Sequence, residues 1–194
     1  MIAMKKQKDF KPDKPRSGTL SKLFLTKLQR RSILKWGLYA LLLVALSVVQ
    51  DVFLCRVRLF GATTEAVIVG IYLICLAEGV EHGSVFSLVA SALYLFSGSA
   101  AGNYSIVFIT GLSVAVTLFR QSYLQKNFAA AMLCTGFAVL AYEMAVFFIG
   151  VFLGMTTWGR IFSHFLTGVY SLVFAPALYP VVKAISNISD ANQS

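Results

Sequence analysis

Between Val139 and Gly150 the chain reads VLAYEMAVFFIG, a run in which Glu143 is the one carboxylate among apolar, small and aromatic side chains. Three chemistries are open to an acid in such a place: relaying a proton, holding a ligand, or stapling packed helices through hydrogen bonds. An ionised carboxylate at mid-bilayer depth is costly unless it is paired or neutral. No Lys or Arg falls at comparable depth in the sequence, so Glu143 is expected to face protein as a largely neutral staple. Ser91, Tyr94, His164 and Tyr170 are its candidate partners.

The other groups with chemical potential are sparse. Gln50 and Asp51 read as a solvated helix end, and His82 as part of a hydrated turn. His164 follows Arg160 closely and shares its helix face with no second His or Cys, which favours a hydrogen-bonding role over metal ligation. Cys55, Cys75 and Cys134 are odd in number and lack CxxC spacing, so free thiols are expected rather than a disulfide framework or a zinc site. No nucleophile with its base, Walker loop or Gly-rich dinucleotide turn is present in the sequence. The expectation is therefore no catalytic residue, no cofactor, no metal and no nucleic-acid partner, with a small-molecule ligand disfavoured.

Whatever positions these residues must be membrane-embedded. The chain of 194 residues is 58% hydrophobic and only 13% charged, against about 25% charged residues in soluble domains. Its net charge of +9 is concentrated at one end: residues 1–35 hold eleven Lys/Arg against Asp9 and Asp13, whereas the remainder holds six basic and six acidic residues. Residues 1–18, interrupted by Pro12 and Pro15, predict a disordered basic cytoplasmic tail. Residues 19–35 place Leu20, Leu23, Phe24 and Leu28 at helical spacing among basic residues, as in an amphipathic helix lying on an anionic leaflet. The alternative reading is that these charges only enforce topology. Residues 36–185 form the transmembrane domain, and 186–194 a polar C-terminal tail.

Six apolar runs follow in order: Trp36 to Leu54, Ala66 to Ala77, Gly83 to Phe96, Tyr104 to Phe119, Phe128 to Gly154, and Ile161 to Val182. A spanning helix needs about 20 residues, so the second and third are short and leave a thin or re-entrant hairpin open. The fold expected is all-α, a polytopic compact bundle of about six transmembrane helices, five being the alternative. The first apolar run follows the long basic tail without a small-x-small cleavage site, so it is expected to persist as an anchor. With the amino terminus inside, fourteen basic residues fall on inner segments and three on outer ones. Both termini are accordingly expected in the cytoplasm, the protein lying in the cell membrane.

Small residues then mark close helix approaches. Gly136, Glu143 and Gly150 share a stripe on the fifth run, with Gly154 beyond it. Comparable stripes are Gly83, Ser87 and Ser91; Gly111 and Ala115; and Ser163, Thr167 and Ser171. Pro176 and Pro180 should deform the last helix.

The serial order of features resembles the rod-shape-determining MreD family over about residues 36 to 185. The order comprises a basic tail, a first helix ending in Gln50, the segment TTEAVIVGIYLI, a small-residue helix leading to SGSAAGN, a helix ending in a basic turn, AYE at 141–143, and FAPALYP at 174–180. Thr64-Glu65 stands where Pro-Asp often opens the second helix of that family, and an Asp often found late in its third helix is replaced around Tyr94 and Leu95. The resemblance implies a divergent, non-enzymatic membrane component of the bacterial cell-elongation machinery, acting with MreC-like and MreB proteins and peptidoglycan synthases. By position it implicates Gln50, Tyr142, Glu143, Pro176 and Tyr179. A second family is also compatible: the substrate-binding component of an energy-coupling-factor vitamin transporter. Its AxxxA docking patch on the first helix is off register here, with Ala40 and Ala45 five apart, while Arg56, Arg58 and SGSAAGN would line an outward pocket. A holin-like structural role is the third reading.

Overall fold

A computed structural model describes residues 27–56, 62–123 and 127–190. The tail at 1–18, most of the expected surface helix, Arg58, Lys126 and residues 191–194 lie outside the described residues. The described chain is helical: α1 (Lys27–Val52), α2 (Ala66–Glu78), α3 (Val80–Phe96), α4 (Tyr104–Tyr123), α5 (Phe128–Phe152), α6 (Ile161–Leu172) and α7 (Ala175–Asp190), with short 3-10 turns at Leu54–Arg56 and Trp158–Arg160. Among the described residues, three helices are long and apolar enough to cross a membrane, within α1, α4 and α5. A fourth span arises if the pair of α6, with its preceding turn, and α7, bent by 45°, is taken as one.

Residues 27–35, expected in a separate surface helix, continue into α1 without a break. The last apolar run divides into two helices. Pro176 sits in the first turn of α7, where its missing N–H is one of those a helix start leaves unused anyway, and Pro180 lies inside the helix.

The arrangement centres on α2. This helix has 13 residues, a length of about 20 Å against about 30 Å of hydrocarbon, yet Ala66 through Leu76 are all buried. It touches all six other helices. An all-round apolar sequence, AVIVGIYLICL, suits a position with no solvent- or lipid-facing side. Between helices in lipid there is no hydrophobic driving force, so close packing and internal hydrogen bonds must hold the bundle. Three glycines permit that closeness. A Cβ on Gly70 would come within 2.8 Å of Leu46 on α1, one on Gly83 within 2.9 Å of the Cys75 carbonyl oxygen across the α2–α3 hairpin, and one on Gly168 within 2.8 Å of Leu140 between α5 and α6. The hairpin itself turns on Gly79 alone, whose φ of 84° is a left-handed conformation that a side chain would strain. Gly154, with φ of 70°, ends α5 in the same manner and turns Met155 and Thr156 back onto the Gly150 carbonyl.

Candidate functional site: the two ends of the buried helix

A helix leaves its first N–H and last C=O groups without partners. In a bundle with little access to water these must be met by other parts of the protein. Both ends of α2 lie inside the bundle, and the side chains that meet them come from distant positions. At the start, Gln50 of α1 presents its Oε1 to the Val67 N–H at 3.1 Å, and Ser171 of α6 presents its Oγ to the Glu65 N–H at 2.8 Å. Gln50 is buried for that purpose and is no solvated helix end. At the other end, Arg120 of α4 donates from Nη1 to the Leu76 carbonyl at 2.6 Å. Glu78 is closed off by Lys35 Nζ at 2.6 Å and by the Tyr39 hydroxyl, which donates at 2.6 Å.

The Glu65 end gathers three of the residues picked out in the sequence, Gln50, Tyr142 and Glu143. Glu143 is 2% exposed, on the α5 face that meets α6. Of its expected partners, His164 is the one found close, with Nδ1 3.6 Å from Oε2. That distance permits charge attraction but exceeds a hydrogen bond, and Oε1 is buried without a hydrogen-bond partner. Ser91 instead lies 3.3 Å from Thr110, and Tyr94 donates to the Ser99 carbonyl. Tyr142 donates to Ser105 of α4 at 3.2 Å. Glu65 lies within electrostatic reach of Glu143, His164, Tyr94 and Tyr142, and its Oε2 is buried without a hydrogen-bond partner.

At this end opens a recess of about 510 Å³, lined by Gln50, Asp51, Thr64, Glu65, Tyr94 and Ser99 among others. Asp51 accepts a hydrogen bond from Ser99 at 2.9 Å, tying the end of α1 to the α3–α4 loop. The lining is rich in acceptors and, among the described residues, contains no Lys or Arg. Such a surface can take up protons, hydrogen-bond donors or cations. Among the described residues no group of three His, Cys, Asp or Glu is placed to hold a metal ion.

The remaining expected residues lie elsewhere. Gly136 faces Leu172 of α6, as a small residue on that stripe should, whereas Gly150 faces Thr156 of its own C-terminal turn and meets no other helix. Tyr179 belongs to the opposite end, where its ring packs edge-on against Phe128 at 4.9 Å and lies beneath Lys183. Pro176 is exposed. Of the small-residue stripes, Ser87 and Ser91 on α3 and Thr167 and Ser171 on α6 point inward. Gly111 and Ala115 on α4 point outward, and nothing lies within 4 Å of a Cβ placed on Gly111. Beside them an apolar groove of about 610 Å³ runs between α4 and α5, lined by Leu112, Ala115, Val116, Phe119, Leu133 and Phe137.

Sequence reasoning missed Glu65 as a buried acid, the Lys35–Glu78–Tyr39 group, and Arg120 as a cap. One signal was available: Lys35 and Tyr39 are four apart on one helix face at the polar edge of the first apolar run. Compared with protein-family models, with characterised proteins and with solved structures, the chain matches none.

Proposed function

We propose that this chain is a non-enzymatic, multi-pass component of the bacterial cell-elongation machinery that holds partner membrane proteins, an MreC-like protein foremost and through it MreB and the peptidoglycan synthases. The observation that carries this reading is the outward stripe of Gly111 and Ala115 beside the apolar α4–α5 groove. Small residues at that spacing admit a helix at close range, and no helix among the described residues packs against Gly111. The MreD-like order of segments supplies the identity of the partner. The topology belonging to this proposal has six passes, the α2–α3 hairpin counting as two, with both termini on the cytoplasmic side. The fourteen-to-three distribution of basic residues supports it.

A cysteine placed at Gly111 or Ala115 should crosslink to an MreC-like protein in intact cells, while one at Ser84, on another helix, should not. Depletion in a rod-shaped or ovoid host should produce rounding and misplaced wall synthesis. Normal shape with no such crosslink overturns the proposal.

The second reading, a substrate-binding transporter component, is favoured by one observation: the acceptor-lined recess at Glu65. A selective loss of uptake of one vitamin on depletion, with cell shape unchanged, would establish that reading instead.

A further inference from the structure

The opposite end of α2 holds a second cleft with the reverse chemistry. Its volume is about 170 Å³, and it lies where the ends of α2 and α4 meet the start of α5 and the middle of α7. Its lining includes Arg120 of α4 and Lys183 and Asn187 of α7, which bring cationic and amide donors. The rest of the lining is largely apolar, with Leu73, Ala131 and Val182. Among the described residues no carboxylate lines it, and Glu78, at the same end of α2, is engaged by Lys35 and Tyr39.

Arg120 is only partly committed. Its Nη1 caps the Leu76 carbonyl, which orients the guanidinium, while Nε is buried without a hydrogen-bond partner. A guanidinium offers donors in a planar fork suited to two oxygens of one phosphate. Lys183 is exposed, with Nζ 5.8 Å from the centre of the Tyr179 ring, so its ammonium is steadied beside the cleft by the ring's negative face. An anion seated here would meet a fixed guanidinium edge on one side and a point charge on the other. The volume suits a phosphate with part of its ester but leaves no room for an acyl chain, which would have to run along the apolar part of the lining toward the bilayer.

We infer that this cleft binds the phosphodiester headgroup of an anionic phospholipid, with Arg120 and Lys183 as the phosphate ligands and Asn187 as an auxiliary donor. Basic clefts between transmembrane helices are suited to such headgroups. The inference does not depend on the proposed role in cell elongation, since it rests on the cleft alone.

The test uses the full chain in a neutral detergent, titrated separately with phosphatidylglycerol, with phosphatidylcholine of the same acyl chains, and with inorganic phosphate, and read by native mass spectrometry of retained ligand. The basic residues of the first 35 attract any anionic surface, so the comparison that matters is between variants. Phosphatidylglycerol should be retained by the wild type and phosphatidylcholine should not. Lys183→Glu and Asn187→Ala, both at exposed positions and therefore expected to leave the fold intact, should together weaken phosphatidylglycerol retention at least about tenfold, the loss expected for one charge-assisted contact. Arg120→Gln should weaken it further, with circular dichroism used to confirm that α2 is still seated. Equal retention by wild type and the Lys183→Glu/Asn187→Ala variant, or equal retention of the two lipids, overturns the inference. Saturation of the same site by inorganic phosphate in place of the lipid would also overturn it, in favour of a soluble phosphate compound.

Discussion

Glu78 and Glu143 are both glutamates enclosed within the bundle, and they are treated differently. Glu78 has an ammonium and a phenol at 2.6 Å each. Glu143 has an imidazole at 3.6 Å and one oxygen with no hydrogen-bond partner. The same contrast holds for the two ends of α2 as a whole. The Glu78 end is neutralised and capped by residues of α1 and α4. The Glu65 end is anchored through its backbone, by Gln50 and Ser171, while its carboxylates keep acceptor capacity unspent, with Glu65 lining a recess. A buried charge that only supports a fold is matched by its neighbours. A buried group left unmatched, in a place where a cavity reaches it, marks where chemistry or binding remains to be done.

The largest effect should come from breaking the matched end. Lys35→Met leaves Glu78 with Tyr39 but no countercharge and should lower stability in detergent by about 3 to 5 kcal/mol, read as an earlier thermal unfolding transition. Adding Glu78→Gln should recover most of that loss. A Lys35→Met protein as stable as the wild type would mean that the pair does not hold this end.

Next in size is the backbone anchor. Gln50→Leu fills the same space but leaves the buried Val67 N–H unmet, at a cost of about 1 to 3 kcal/mol. Gln50→Glu, which retains an acceptor at that position, should be the milder change. If the two substitutions behave alike, the hydrogen bond to Val67 is not what Gln50 contributes.

Glu143→Gln sharpens the comparison from the unmatched side. Because Glu143 makes no close hydrogen bond through Oε1 or to His164, the amide should leave thermal stability within about 1 kcal/mol of the wild type. A loss as large as that of Lys35→Met would show that Glu143 and His164 form a tight ion pair after all. A stable, abundant Glu143→Gln protein that fails to function would assign the acid to proton transfer or ligand binding.

The smallest effect on the isolated protein belongs to Gly111→Leu. With nothing within 4 Å of its Cβ position, the leucine should change stability by no more than about 0.5 kcal/mol, yet it should abolish the crosslink to a partner helix at Ala115. An unaltered crosslink would remove the α4 stripe from the docking surface.

Much of the architecture was legible before any coordinates. Apolar run length and the scarcity of charge favour helices, because a helix satisfies nearly all of its backbone polar groups within one segment, and the six runs correspond to the helices found, with the last divided in two. Periodicity correctly placed Glu143 on a protein-facing side, since lipid is the more costly neighbour for a carboxylate. It did not distinguish stripes that face inward, such as Ser87 with Ser91, from one that faces out, Gly111 with Ala115, because one helix's pattern carries no record of which neighbour it meets.

Sequence alone therefore determined what each segment is: helical, apolar, short or long, basic at one end. Only the tertiary structure decided what each polar side chain does. Gln50 meets Val67 across 17 residues of sequence, Arg120 meets Leu76 across 44, and Ser171 meets Glu65 across 106. These contacts exist because α2 is too short to carry its ends out of the bundle. The length of α2 is written locally, but which side chains must then serve its exposed N–H and C=O groups depends on how six other helices pack around it.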